Sequence, residues 1–142
     1  MKRVFADSWY WIACLTPRTP AETAAADIAN QLLRNRGRLV TTEEVLTEVL
    51  NYYSRHGVQA RRGAAIVVRT LLDDDRVEVI AQDHDSFDRG LALYDRRTDK
   101  SYSLTDCVSM ARMRSEGITE VLSNDRHFAQ EGFRPLHSAA SQ

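Results

Sequence analysis

Short apolar runs alternate with capped helical stretches along this chain, and that alternation limits the folds open to it. Arg3-Val-Phe-Ala6, Leu39-Val40, Val77-Glu-Val-Ile80 and Glu120-Val-Leu-Ser123 read as strands, and a last edge strand lies around Pro135 to His137. Helical stretches separate them: Ser8 to about Leu15, stopped by Pro17; a helix to Arg36, stopped by Gly37; one to about His56, closed by Gly57; then Gln59 to Leu72, Asp85 to Arg96, Ser103 to Glu116, and a short turn from Asp125. Thr19-Pro20-Ala-Glu22 joins a capping box to a proline at the first helical position, and Thr41-x-x-Glu44 reads as a second box. Strands joined through helices run parallel and are covered on both faces. The pattern predicts a single-domain α/β/α sandwich with a mostly parallel central sheet over residues 1–137, and a flexible tail at 138–142.

A chain of 142 residues is one domain, long enough to bury roughly 68–70% of its unfolded surface without a disulfide or metal. The longest apolar run, Trp9 to Leu15, falls far short of the roughly 20 residues that span a bilayer, and Asp7 interrupts any signal-like stretch after Lys2 and Arg3. The expectation is a cytoplasmic protein without membrane contact. Cys14 and Cys107 form no metal or redox spacing and read as small core residues. No glycine-rich loop follows a strand, which argues against P-loop and dinucleotide-binding enzymes. Lys2 and Lys100 do not supply the late lysine of a phosphoacceptor receiver domain. Net charge is -1, yet the cations are 17 Arg against two Lys; a bidentate guanidinium suits a polyanionic partner, and a codon-biased genome explains the bias equally well.

In open α/β sheets the functional crevice lies at the carboxyl ends of the strands, and two of these strands end on an acid. Asp7 closes the first and Asp125 follows Val121-Leu-Ser-Asn124; each alone also reads as a helix N-cap. Asp106 falls inside the apolar face of its helix, between Met110 and Met113, where an ionised carboxylate needs a partner, although it also suits a first-turn acid after a Ser103 cap. Glu48 borders the apolar arc of Val45, Leu46, Val49, Leu50, Tyr52 and Tyr53, whereas Glu44 points away. Four carboxylates converging at one sheet end repel, and a hard divalent cation resolves that repulsion. An oxygen-only set favours Mg2+, with Mn2+ able to substitute. His56, His84, His127 and His137 make no ligand pair and read as surface or capping residues. Trp9, Tyr10 and Trp11 cannot all face one core from a single helical turn, so at least one is expected to meet a partner.

Val4-Phe-Ala-Asp7, Thr42-Glu-Glu-Val-Leu-Thr-Glu48, Ser103-Leu-Thr-Asp-Cys107 and Leu122-Ser-Asn-Asp-Arg-His-Phe128 with Gly132-Phe133 resemble, in order and spacing, the small single-domain PIN nucleases, many of which are VapC-type toxins of toxin-antitoxin pairs. The resemblance implies a magnesium-dependent endoribonuclease in which Asp7, Glu48, Asp106 and Asp125 hold the metal. Ser123 and Thr105 would support them, with Asp99 a weaker accessory candidate, and Arg126 would hold a flanking phosphate. Phe128 and Phe133 are assigned to packing. An RNA substrate, an antitoxin protein and a homodimer follow as partners. The alternative is a non-toxin or catalytically silent PIN-domain RNA-binding protein.

Overall fold

The structure, a computed structural model, describes residues 1–15 and 19–136. Pro17, His137 and the expected tail at 138–142 lie outside the described residues. The elements run β1 (Arg3–Ala6), α1 (Ser8–Leu15), α2 (Pro20–Arg34), β2 (Arg38–Thr42), α3 (Glu43–Tyr53), α4 (Val58–Asp73), β3 (Val77–Ile80), α5 (His84–Arg96), α6 (Leu104–Glu116), β4 (Glu120–Leu122), α7 (Arg126–Gln130) and β5 (Arg134–Pro135). All strand pairs are parallel, in the order β3-β2-β1-β4-β5. Consecutive residues Val4, Phe5 and Ala6 are all buried, as are Val121 and Leu122, so both faces of the sheet are covered by helices. The expected α/β sandwich is present, with a sheet that is wholly parallel.

From β1 the chain steps outward through β2 to β3, then returns to the other side of β1 with β4 and β5. The connections therefore diverge between β1 and β4, and a crevice opens there at the carboxyl ends of the strands. Register fixes what meets in it: Phe5 pairs with Val121 and Ala6 with Leu122, which brings the next residues, Asp7 and Ser123, side by side.

Local chemistry accounts for the helix starts. Thr19 caps α2 by accepting from the Glu22 amide at 3.1 Å, with Pro20 in the first turn. The second expected box is displaced by one residue. Thr41 stays in β2 because its hydroxyl donates to the Ala6 carbonyl at 3.0 Å and accepts from Trp11 Nε1 at 3.3 Å. Thr42 is the cap instead, taking the Val45 amide at 3.1 Å, so Glu44 does not close a box. Helix α5 begins at His84, before the expected Asp85, because Asp83 and Ser86 form a reciprocal box.

Phe5, Phe128, Leu39, Met110 and Met113 fill the core. Tyr10 and Trp11 are buried, while Trp9 is part-buried and packs against the same cluster. Cys107 is a core residue as expected; Cys14 is exposed on α1.

The closest helix pairing, α5 on α6, depends on Gly90. A Cβ there would lie 2.4 Å from Val108 Cγ2 and 3.0 Å from the Val108 backbone. Gly63 in α4 has nothing within 4 Å of the same position. Alanine favours a helix over glycine by about 1 kcal/mol, but overpacking costs about 1–3 kcal/mol. Gly63→Ala should therefore raise the unfolding free energy by about 0.5–1 kcal/mol, and Gly90→Ala should lower it by roughly 1–2 kcal/mol, both read from urea midpoints.

Candidate metal centre

The crevice between β1 and β4 gathers acids from four elements. Asp7 continues β1 and is buried; its Oδ2 accepts from Ser123 Oγ at 3.1 Å, and Ser123 accepts in turn from the Asp125 amide at 3.0 Å. Glu48 reaches in from α3 and accepts from Ser8 Oγ at 2.6 Å, next to Asp7 in the chain. Asp106, buried in the first turn of α6, accepts from the Ser103 amide at 3.1 Å while Ser103 Oγ takes its own amide at 3.0 Å. Asp125 caps α7 by accepting from the His127 amide at 2.9 Å. Asp106 is thus a first-turn acid after the Ser103 cap and Asp125 a cap itself, and both carboxylates face the same imidazole, His127.

Burial pushes the Asp7 carboxyl up to about 7, opposed by a hydrogen bond from the Ser8 amide. The charges of Asp106 and Glu48 contribute to that rise, and the Ser123 hydroxyl opposes it. Those two acids therefore lie within electrostatic reach of Asp7. Among the described residues, the ion pairs of the four acids run to the imidazole of His127 alone, at 3.1 Å from Asp106 Oδ2 and 3.2 Å from Asp125 Oδ1. A buried carboxylate facing like charges, with no guanidinium or ammonium drawn to it, suits a divalent cation.

His127 departs from the expectation of a surface or capping residue. Its Nδ1 faces two of the acids, its Nε2 lies 3.2 Å from Ser101 Oγ, and its ring is 5.3 Å from that of Tyr102. The sequence held a signal for it: Phe128 anchors α7 in the core, which leaves the preceding residue beside the Asp125 cap. Glu131 was also not anticipated. It is buried and accepts from Arg97 Nε at 2.7 Å, Arg114 Nη2 at 3.0 Å and the Tyr102 hydroxyl at 3.1 Å. Hydrogen bonds, first from Arg97 and then from Arg114 and Tyr102, hold its carboxyl down at about 2 against its burial. This knot braces Tyr102 behind the imidazole.

The accessory candidates are placed elsewhere, except Ser123, which links Asp7 to the Asp125 backbone. Thr105 lines a separate recess with Glu44, Asp83 and Phe87. Asp99 is exposed in the turn between α5 and α6, 3.5 Å from Lys100 Nζ. Arg126 is exposed at the start of α7.

A PIN domain family model matches residues 4–133. No curated protein matches the chain. Among solved structures, VapC20 of Mycobacterium tuberculosis, a sarcin-ricin loop cleaving toxin, is similar over 92% of this chain and 95% of its own, with a TM-score of 0.76 and 24% identity. VapBC2 from Rickettsia felis, bound to a DNA fragment from its promoter, is similar over 90% of this chain and 92% of that one, with a TM-score of 0.67 and 12% identity.

An unfolded aspartate loses its proton near pH 4, whereas Asp7 in the metal-free fold keeps it to about pH 7. Within that window the unfolded chain releases a proton that the fold retains, so the stability Asp7 lends is full below pH 4 and is lost as pH rises through 7. In EDTA, Asp7→Asn should match wild type near pH 4 and exceed it by roughly 2–4 kcal/mol at pH 8. An advantage equal at both values would exclude the Asp7 charge as its source.

Proposed function

The chain belongs to the PIN domain family, and on that premise we propose that it is a divalent-metal-dependent endoribonuclease, the toxin of a toxin-antitoxin pair. The observation that carries this reading is the convergence of Asp7, Glu48, Asp106 and Asp125 on the divergence point of a parallel sheet, with Asp7 pushed up to about 7 by its burial and then by the charges of Asp106 and Glu48. The sarcin-ricin loop cleaving toxin with the same fold supports an RNA substrate.

When bound, a divalent ion polarises a phosphodiester and acidifies water enough to yield a nucleophile at neutral pH. The protein's part is to hold that ion. Asp7, Asp106 and Asp125 offer oxygens from rigid strand ends and helix caps, and Glu48 adds one from α3. Ser123 fixes the Asp7 carboxylate and Ser8 fixes that of Glu48, so neither has to be ordered when substrate arrives. Arg126, exposed at the start of α7 and next to Asp125 in the chain, binds a flanking phosphate. Attack by water, with no protein nucleophile, leaves 5′-phosphate and 3′-hydroxyl ends. Magnesium is the expected ion for the carboxylate oxygens.

The homodimer and antitoxin contacts shift from the aromatic run of α1, which is largely core, to exposed apolar residues. Phe87, Leu91 and Tyr94 stand on one face of α5, each about half exposed. No helix among the described residues is long and apolar enough to cross a membrane.

Purified protein given labelled RNA should cut it with Mg2+ or Mn2+, and EDTA should stop the cleavage. Asp106→Asn should slow cleavage by about a hundredfold or more, while Glu44→Gln should stay close to wild type because Glu44 lines another recess. RNA binding without any cleavage, with or without metal, would favour a silent RNA-binding protein.

A further inference from the structure

We propose that His127 donates its Nδ1 to the metal centre, giving a mixed oxygen and nitrogen site that takes Mn2+ in preference to Mg2+; this rests on the reading of the acid cluster as a metal centre. One oxygen from Asp106, one from Asp125 and a ring nitrogen of His127 all lie within 4.8 Å of one another. The Nδ1 separations from the two carboxylate oxygens are 3.1 and 3.2 Å. Adjacent donors on an octahedral ion with bonds near 2.1–2.2 Å stand about 3.1 Å apart, so these three atoms can share one cation with little movement.

A ligating nitrogen must present its lone pair, which requires the ring hydrogen on the other nitrogen. Ser101 Oγ lies 3.2 Å from Nε2, within reach to accept that hydrogen in the tautomer that frees the Nδ1 lone pair for a cation. Metal-binding histidines have such a partner on the second nitrogen as a rule, and it sets both tautomer and ring orientation. The ring is further confined by Tyr102, whose hydroxyl donates to Glu131, itself gripped by Arg97 and Arg114. An imidazole held in this way loses little freedom on binding a cation.

Carboxylates alone suit Mg2+, whereas a neutral imidazole is a better donor to a first-row transition ion. The nitrogen thus selects among ions that the acids alone would accept. His56, stacked on Tyr52 in the connection between α3 and α4, and His84, paired with Asp88 in α5, are exposed elsewhere, so His127 is the histidine placed to give a metal-nitrogen signal among the described residues.

The test is pulsed EPR of the full-length protein loaded with Mn2+, alongside calorimetric titration with Mn2+ and Mg2+. Wild type should show 14N modulation from one bound imidazole. His127→Asn and His127→Asp should lose that modulation while still binding Mn2+, and in His127→Asp the preference for Mn2+ over Mg2+ should shrink by about tenfold. Stoichiometric Mn2+ without 14N modulation in wild type overturns the assignment and leaves the metal centre intact, as does modulation that persists in both variants. Failure of wild type to bind Mn2+ at all overturns the metal centre itself, and the nitrogen ligand with it.

Discussion

The parallel pairing of β1 with β2 on one side and β4 on the other is the constraint on which the rest of the molecule depends. A strand paired on both sides and covered on both faces has to be apolar, and Val4, Phe5 and Ala6 are. Its next residue emerges where the connections to its two neighbours part, so the backbone leaves a gap that no helix fills. Asp7 stands at that point. The same pairing places Ser123 beside it, and the capped helices α6 and α7 bring Asp106 and Asp125 to the same gap.

Electrostatics then works against the fold that assembled the cluster. Each carboxylate is tied by hydroxyl or amide donors, yet those bonds fix positions without removing the mutual repulsion. Asp7 reaches neutrality near pH 7 by keeping a proton, a cost in stability typical of sites shaped for binding. Glu131 shows the opposite solution: a buried acid, compensated by two guanidinium groups and a phenol. The contrast separates an acid that braces the structure from acids that await a cation.

What could be read from the sequence was whatever is decided locally. The cap at Thr19 and the burial of β1 follow from spacing within a single element, and the structure places both as expected; Glu48, preferred over Glu44 on the same ground, accepts from Ser8 beside Asp7. The helix start after β2 was misjudged by one residue because both threonines are competent caps. The choice between them is made by Ala6 and Trp11, more than 25 residues away in sequence. For His127 the local signal, its place between the Asp125 cap and the Phe128 anchor, does not reveal its other partners, because Asp106 and Ser101 belong to other parts of the chain. Thr105, adjacent to Asp106, was drawn toward the site by its neighbour, although a helix sends consecutive side chains in different directions.

The pairing of β1 with β4 has a further consequence during synthesis. Ser123 and Asp7 are separated by 116 positions, so the bond between them forms only after every element from α1 to β4 has been made. Strands β1, β2 and β3 can associate early, since each follows the last through intervening helices, but the central strand then waits with one edge unpaired. A growing chain therefore carries Asp7 and Glu48 without Asp106 and Asp125 until α6 and β4 have been made, and the pocket comes into being only once β4 has closed the open edge of β1.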